Sequence, residues 1–67
     1  MKRDDLIRAI RRYCRTRGLR FEVDERTGNG SHYKVKAGER RTIVQYKLNP
    51  HIFRMILKQL DIDPADL

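Results

Sequence analysis

Tryptophan is absent from this 67-residue chain, cysteine occurs once, and proline occurs twice. A lone cysteine, Cys14, excludes an internal disulfide, so no covalent staple supports the fold. The same scarcity fits a reducing cytoplasm, with Cys14 serving as a small buried apolar residue. No apolar run approaches the roughly 20 residues of a membrane-spanning helix, and the amino terminus has no signal-peptide pattern. No membrane partner is expected, and the expected location is the cytoplasm. The chain is near the smallest size at which one hydrophobic core supports folding, which leaves room for a single domain over residues 1–67 and excludes a deep, enclosed pocket. Acidic side chains are also few, nine against sixteen Lys and Arg.

What is present is positive charge on a foldable background. Hydrophobic residues make up 39% and charged residues 37%, a balance that suits a small core under a charged surface rather than a disordered chain. The net charge of +7 predicts attraction to polyanions, nucleic acid first among them. It is unevenly spread: residues 1–20 hold eight basic and two acidic side chains, whereas residues 61–67 hold Asp61, Asp63 and Asp66 and no basic residue.

Periodicity supplies the elements. From Asp4 to about Arg17, Leu6, Ile7, Ile10, Tyr13 and Cys14 recur at helical spacing, and Arg8, Arg11, Arg12 and Arg15 share the opposite side. Asp4 and Asp5 suit the positive end of that helix, and Gly18 stands where a left-handed residue commonly ends one. Leu19 to Glu25 then alternates, Phe21 and Val23 on one face, Arg20, Glu22 and Asp24 on the other, as a half-wet strand does. Gly28, Asn29 and Gly30 offer positive-φ turn chemistry, and Ala37-Gly38-Glu39 marks a second reversal.

Between those turns the middle strand points Tyr33 and Val35 one way and His32, Lys34 and Lys36 the other. A third strand covers about Arg41 to Tyr46, but Thr42-Ile43-Val44 leaves its inward face open. Asn49-Pro50 reads as an N-cap with proline at the first helical position, followed by the stripe Ile52, Phe53, Ile56, Leu57 and Leu60. Pro64 is expected to stop that helix. The fold class is therefore α+β in the order α-β-β-β-α, a three-stranded antiparallel sheet with two helices on one face and its other face open.

Several chemical motifs can be set aside. Gly28 and Gly30 lack the third glycine of a dinucleotide loop, because Tyr33 takes its place, and no βαβ unit surrounds them. His32, His51 and Cys14 lack the clustered spacing of a metal site, so neither a metal nor another cofactor is expected. Ser31 and His32, as strand neighbours, project to opposite faces and do not form a nucleophile–base pair. Ser31 is better read as a turn residue. His32 has two readings from the residues alone: a polar strand residue that at most touches phosphate, or a proton-transfer group, for which imidazole is well suited near neutral pH.

The helix-strand-strand-strand-helix order, GNGSHYKV at the second strand, GERRTIV in the third and FRMILKQLDI in the last helix together resemble HicA, the toxin of HicA/HicB toxin–antitoxin systems. The resemblance runs from about Lys2 to Ile62. It implies a double-stranded-RNA-binding-like fold, a ribosome-independent mRNA interferase (an endoribonuclease), a functional histidine at His32 and a HicB-like antitoxin as protein partner. The chain departs from the family where Tyr33 follows the histidine and where QYKLNPHIF replaces a proline–histidine segment, so His51 is not a secure match to a family residue and reads as part of the first helical turn, with a structural or phosphate-contact role.

On this reading His32 transfers a proton, Lys34 and Lys36 bind phosphates of the RNA, and Gly28, Gly30 and Ser31 form the turn that positions the site. Arg40 and Arg41 either extend the phosphate surface or are solvated turn charges. The competing reading is a noncatalytic RNA-binding module with the same fold. Both predict RNA binding that weakens steeply from low to moderate salt, because each phosphate contact releases counterions. Affinities measured by fluorescence anisotropy across a salt series check this, and a flat series would count against the basic surface.

Overall fold

The computed structural model describes residues 2–25 and 32–67. Its elements are α1 (Arg3–Arg17), β1 (Phe21–Asp24), β2 (His32–Ala37), β3 (Arg40–Gln45), α2 (Pro50–Gln59) and a short 3-10 turn at Pro64–Asp66. The three strands form one antiparallel sheet in the order β1-β2-β3, so the α+β class and the α-β-β-β-α order match the sequence expectation.

Each helix forms for reasons visible in its own residues. In α1, Leu6, Ile10 and Cys14 are separated by four residues and are fully buried, which lays one stripe against the sheet. Gly18 ends the helix at φ 67°, and the amide of Leu19 donates to the Cys14 carbonyl at 2.8 Å, closing the last turn as a left-handed cap does. In α2, the Asn49 side chain accepts from the Ile52 amide at 2.8 Å, and Pro50 follows at the first helical position, where no amide hydrogen is needed. Pro64 is not what stops α2. The helix ends at Gln59 because Asp61 turns left-handed at φ 57° and the Ile62 amide donates back to Leu57 at 2.9 Å.

Both helices cover one face of the sheet, α1 against β1 and β2, α2 against β3. Leu6, Ile10, Cys14, Val35, Ala37, Val44, Ile56, Leu57, Leu60 and Ile62 are the buried core. Phe21 and Val23 of β1 are half-buried at its margin. The inward face of β3, which periodicity leaves open, is Thr42 and Val44, while Ile43 is 41% exposed on the far side. Thr42 is tolerated inside because its hydroxyl donates to the Gln59 side-chain oxygen of α2. Burial raises the Cys14 thiol above its ordinary pKa, which keeps it protonated and unreactive. Among the described residues, no helix is long and apolar enough to cross a membrane.

The β2–β3 hairpin turns through Gly38 and Glu39, with Gly38 at φ 64°. A side chain there is strained by its backbone, and a Cβ would also press on Leu19 Cδ2 at 3.4 Å. Gly38→Ala is therefore expected to cost about 1–2 kcal/mol, seen as a lower urea midpoint with an unchanged slope. No loss of stability would mean that the hairpin adopts another turn.

Candidate nucleic-acid interface

Pleating decides which side chains reach the open face. On β2, His32, Lys34 and Lys36 point away from the helices, and Tyr33, Val35 and Ala37 point toward them. Residues opposed across antiparallel strands share a face. Lys34 therefore stands between Asp24 of β1 and Ile43 of β3, Lys36 stands between Glu22 and Arg41, and His32 is opposed to Gln45.

The open face thus assembles His32, Lys34, Lys36 and Arg41 from the residues singled out in the sequence. His32 is exposed at the first position of the strand, and Lys34 is partly covered by its neighbours. Arg40 does not join them. Its opposed residue is the buried Ala37, so it lies on the helix side, where its guanidinium approaches the Asp61 carboxylate at 4.0 Å. His51 is exposed in the first turn of α2 and belongs to the layer on the other side of the sheet. The turn assigned to Gly28, Gly30 and Ser31 lies outside the described residues.

Two shallow clefts flank Lys34. One, of about 460 Å³, is lined by Glu22, Val23, Asp24, Lys34 and Lys36. The other, of about 380 Å³, wraps the free edge of β3 and includes Arg41, Ile43, Gln45, Met55 and Gln59. The face is therefore mixed in charge, three cations and a histidine against two carboxylates, with Glu22 also bridged to Arg20 at 3.1 Å. Among the described residues, no group of three or more His, Cys, Asp or Glu side chains is placed to hold a metal ion.

Sequence reasoning missed the aromatic and basic residues at the end of β3. Arg3 of α1 lies over the Tyr33 ring with its Cζ 3.7 Å from the centroid, and 5.1 Å from that of Tyr46. The signal that was available is the pair Tyr46-Lys47 directly after the β-rich run, at the strand end that carries the partner of His32. A scan against family models, a search of curated proteins and a search of solved structures each return no match to this chain.

The carboxylates give a direct test of the open face. Glu22→Gln combined with Asp24→Asn should tighten RNA binding about three- to ten-fold at low salt, by removing repulsion next to Lys34 and Lys36. Fluorescence anisotropy with a labelled RNA checks this; unchanged affinity would place the RNA on another surface.

Proposed function

We propose that this chain acts as the RNA-cleaving toxin of a HicA-type toxin–antitoxin pair, with a double-stranded-RNA-binding-like fold and His32 as its proton-transfer group. The observation that carries the reading is the placement of His32 on the open face of the central strand, in line with Lys34 and Lys36, within the α-β-β-β-α order that the resemblance implies. Successive side chains on one face of a strand are about 7 Å apart, a reach suited to following a phosphate backbone.

The reaction is a transesterification within the RNA. The 2′-oxygen forms a bond to the adjacent phosphorus, the P–O5′ bond breaks, and the products are a 2′,3′-cyclic phosphate and a free 5′-hydroxyl. The 2′-hydroxyl loses a proton and the departing O5′ gains one. His32 carries out one of these transfers and solvent water completes the other. Lys34, Lys36 and Arg41 hold the scissile and neighbouring phosphates and offset the charge that develops on the pentavalent intermediate. Positioning two groups of the same substrate molecule supplies much of the acceleration, which is why an open site suffices. A HicB-like antitoxin would neutralise the protein by covering this face.

A second reading, a noncatalytic RNA-binding module, is favoured by one observation. Arg11, Arg12 and Arg15 form an exposed row on the outer side of α1, and among the described residues none of them pairs with a carboxylate. That surface binds RNA without any histidine.

His32→Ala separates the two. Because His32 is exposed, the variant should fold with a stability within about 0.5 kcal/mol of the parent, followed by thermal unfolding. Its cleavage of a labelled RNA should fall by about two to four orders of magnitude, growth arrest on induced expression should disappear, and RNA affinity should change only slightly. Undiminished cleavage by the folded variant would overturn the catalytic role of His32, and binding without cleavage by the parent protein would leave the binding module.

A further inference from the structure

At the end of the sheet that carries His32, a cleft of about 640 Å³ is lined by Lys2, Arg3, Asp4, Tyr46, Lys47 and Leu48. That volume lies within the range of small-molecule sites. Tyr46 is 64% exposed, so most of its ring faces solvent. Arg3 reaches the ring from the α1 side while resting on Tyr33, which orients Tyr46 without covering it. Three cations line the cleft against one carboxylate.

The position of the cleft matters as much as its chemistry. Tyr46 directly follows Gln45, and Gln45 is the opposed residue of His32. Opposed strand positions and one further step along the chain put the two backbone anchors roughly 6 Å apart, but the side chains leave on different sides: His32 points to the open face and Tyr46 meets Arg3 on the helix side, so a strand that touches both passes around the end of the sheet.

The geometry points to Tyr46 as a stacking platform for one base of a single-stranded RNA, with Lys2 and Lys47 on the phosphates beside that base, on a strand that continues around the end of the sheet to His32. The inference rests on the RNA-cleaving reading and adds to it a subsite at the end of the sheet, farther along the strand from the reacting bond. A single strand is required because bases within a duplex are stacked on one another and cannot offer a face to a protein ring. An aromatic ring beside ammonium groups is the combination that binds unpaired bases without demanding a sequence. An acidic peptide would use the cations and leave the ring idle.

Because the chain has no tryptophan, Tyr46→Trp introduces a single indole at the cleft. The titration is done in a His32→Ala background, so that the RNA stays intact, with a ten-nucleotide oligo(A) RNA and with an abasic strand of equal length and charge. Oligo(A) should quench the indole emission and the abasic strand should not. In the same background, Tyr46→Ala should weaken oligo(A) binding about ten-fold or more, while Tyr46→Phe, which keeps the ring, should bind like the parent. Equal binding of both strands, with no loss in Tyr46→Ala, overturns the stacking site and leaves cleavage by His32 to its own test. Quenching by oligo(A), together with persistent cleavage in the His32→Ala chain, upholds the stacking site and removes the catalytic assignment. Failure of both strands to bind overturns both.

Discussion

The central strand β2 is paired along both edges, and its six residues alternate between a buried and an open face. A slip of one residue in its register would carry Lys34 and Lys36 into the core and expel Val35 and Ala37. Burying an unpaired ammonium costs several kcal/mol or more, a large part of the 5–15 kcal/mol typical of a whole domain. Register is therefore set by the core, and the open face inherits it. His32 comes to oppose Gln45, and Lys36 to oppose Arg41, because Val35 must meet the helix stripes. The Gly38 turn enforces the same register from the other end of the hairpin.

Charge follows from the same topology. The net charge of +7 does not concentrate on the open face, since β1 brings Glu22 and Asp24 in register with Lys36 and Lys34. The acidic carboxyl-terminal segment folds back on two basic residues, Asp61 toward Arg40 and Asp66 toward Arg17. These pairs are exposed and each adds little stability, about 0–1 kcal/mol. They matter by removing cations from the long-range field. The outer row of α1 keeps its charge. Two surfaces of different character result: a basic helix face suited to attracting a polyanion from a distance, and a sheet face of mixed charge suited to local recognition. They lie on opposite sides of the sheet.

The parts of this arrangement that were legible in the sequence are those governed by one element at a time. The stripe Leu6, Ile10 and Cys14, the cap at Asn49-Pro50 and the alternation of His32 to Lys36 depend only on local period and local hydrogen bonds. Where two elements decide together, the sequence was silent. Thr42-Ile43-Val44 suits either face of a strand, and only the Gln59 side chain, seventeen residues away, makes Thr42 the inward choice. The core position of Ile62 depends on the left-handed turn at Asp61, which no glycine announces. Arg40 resembles its neighbour Arg41 in sequence, yet pleating sends the two to opposite sides. Tyr46 lies just past the strand end, where alternation no longer assigns a face.

The uncovered sheet face then constrains the chemistry that can be performed on it. Both helices cover one side of the sheet, and among the described residues no element covers the other. An open face exposes its charges to water and weakens each electrostatic contact. Rate enhancement in the proposed reaction must therefore come from alignment more than from a low dielectric. RNA suits that limitation, since its nucleophile and its leaving group belong to the same strand and need only be held in line. In the proposed reaction the paired central strand that carries His32 would supply one fixed point. The proposed stacking of a base on Tyr46, which meets Arg3 on the helix side at the end of the sheet, would supply a second point, so that the backbone passing around that end had a defined direction toward the imidazole.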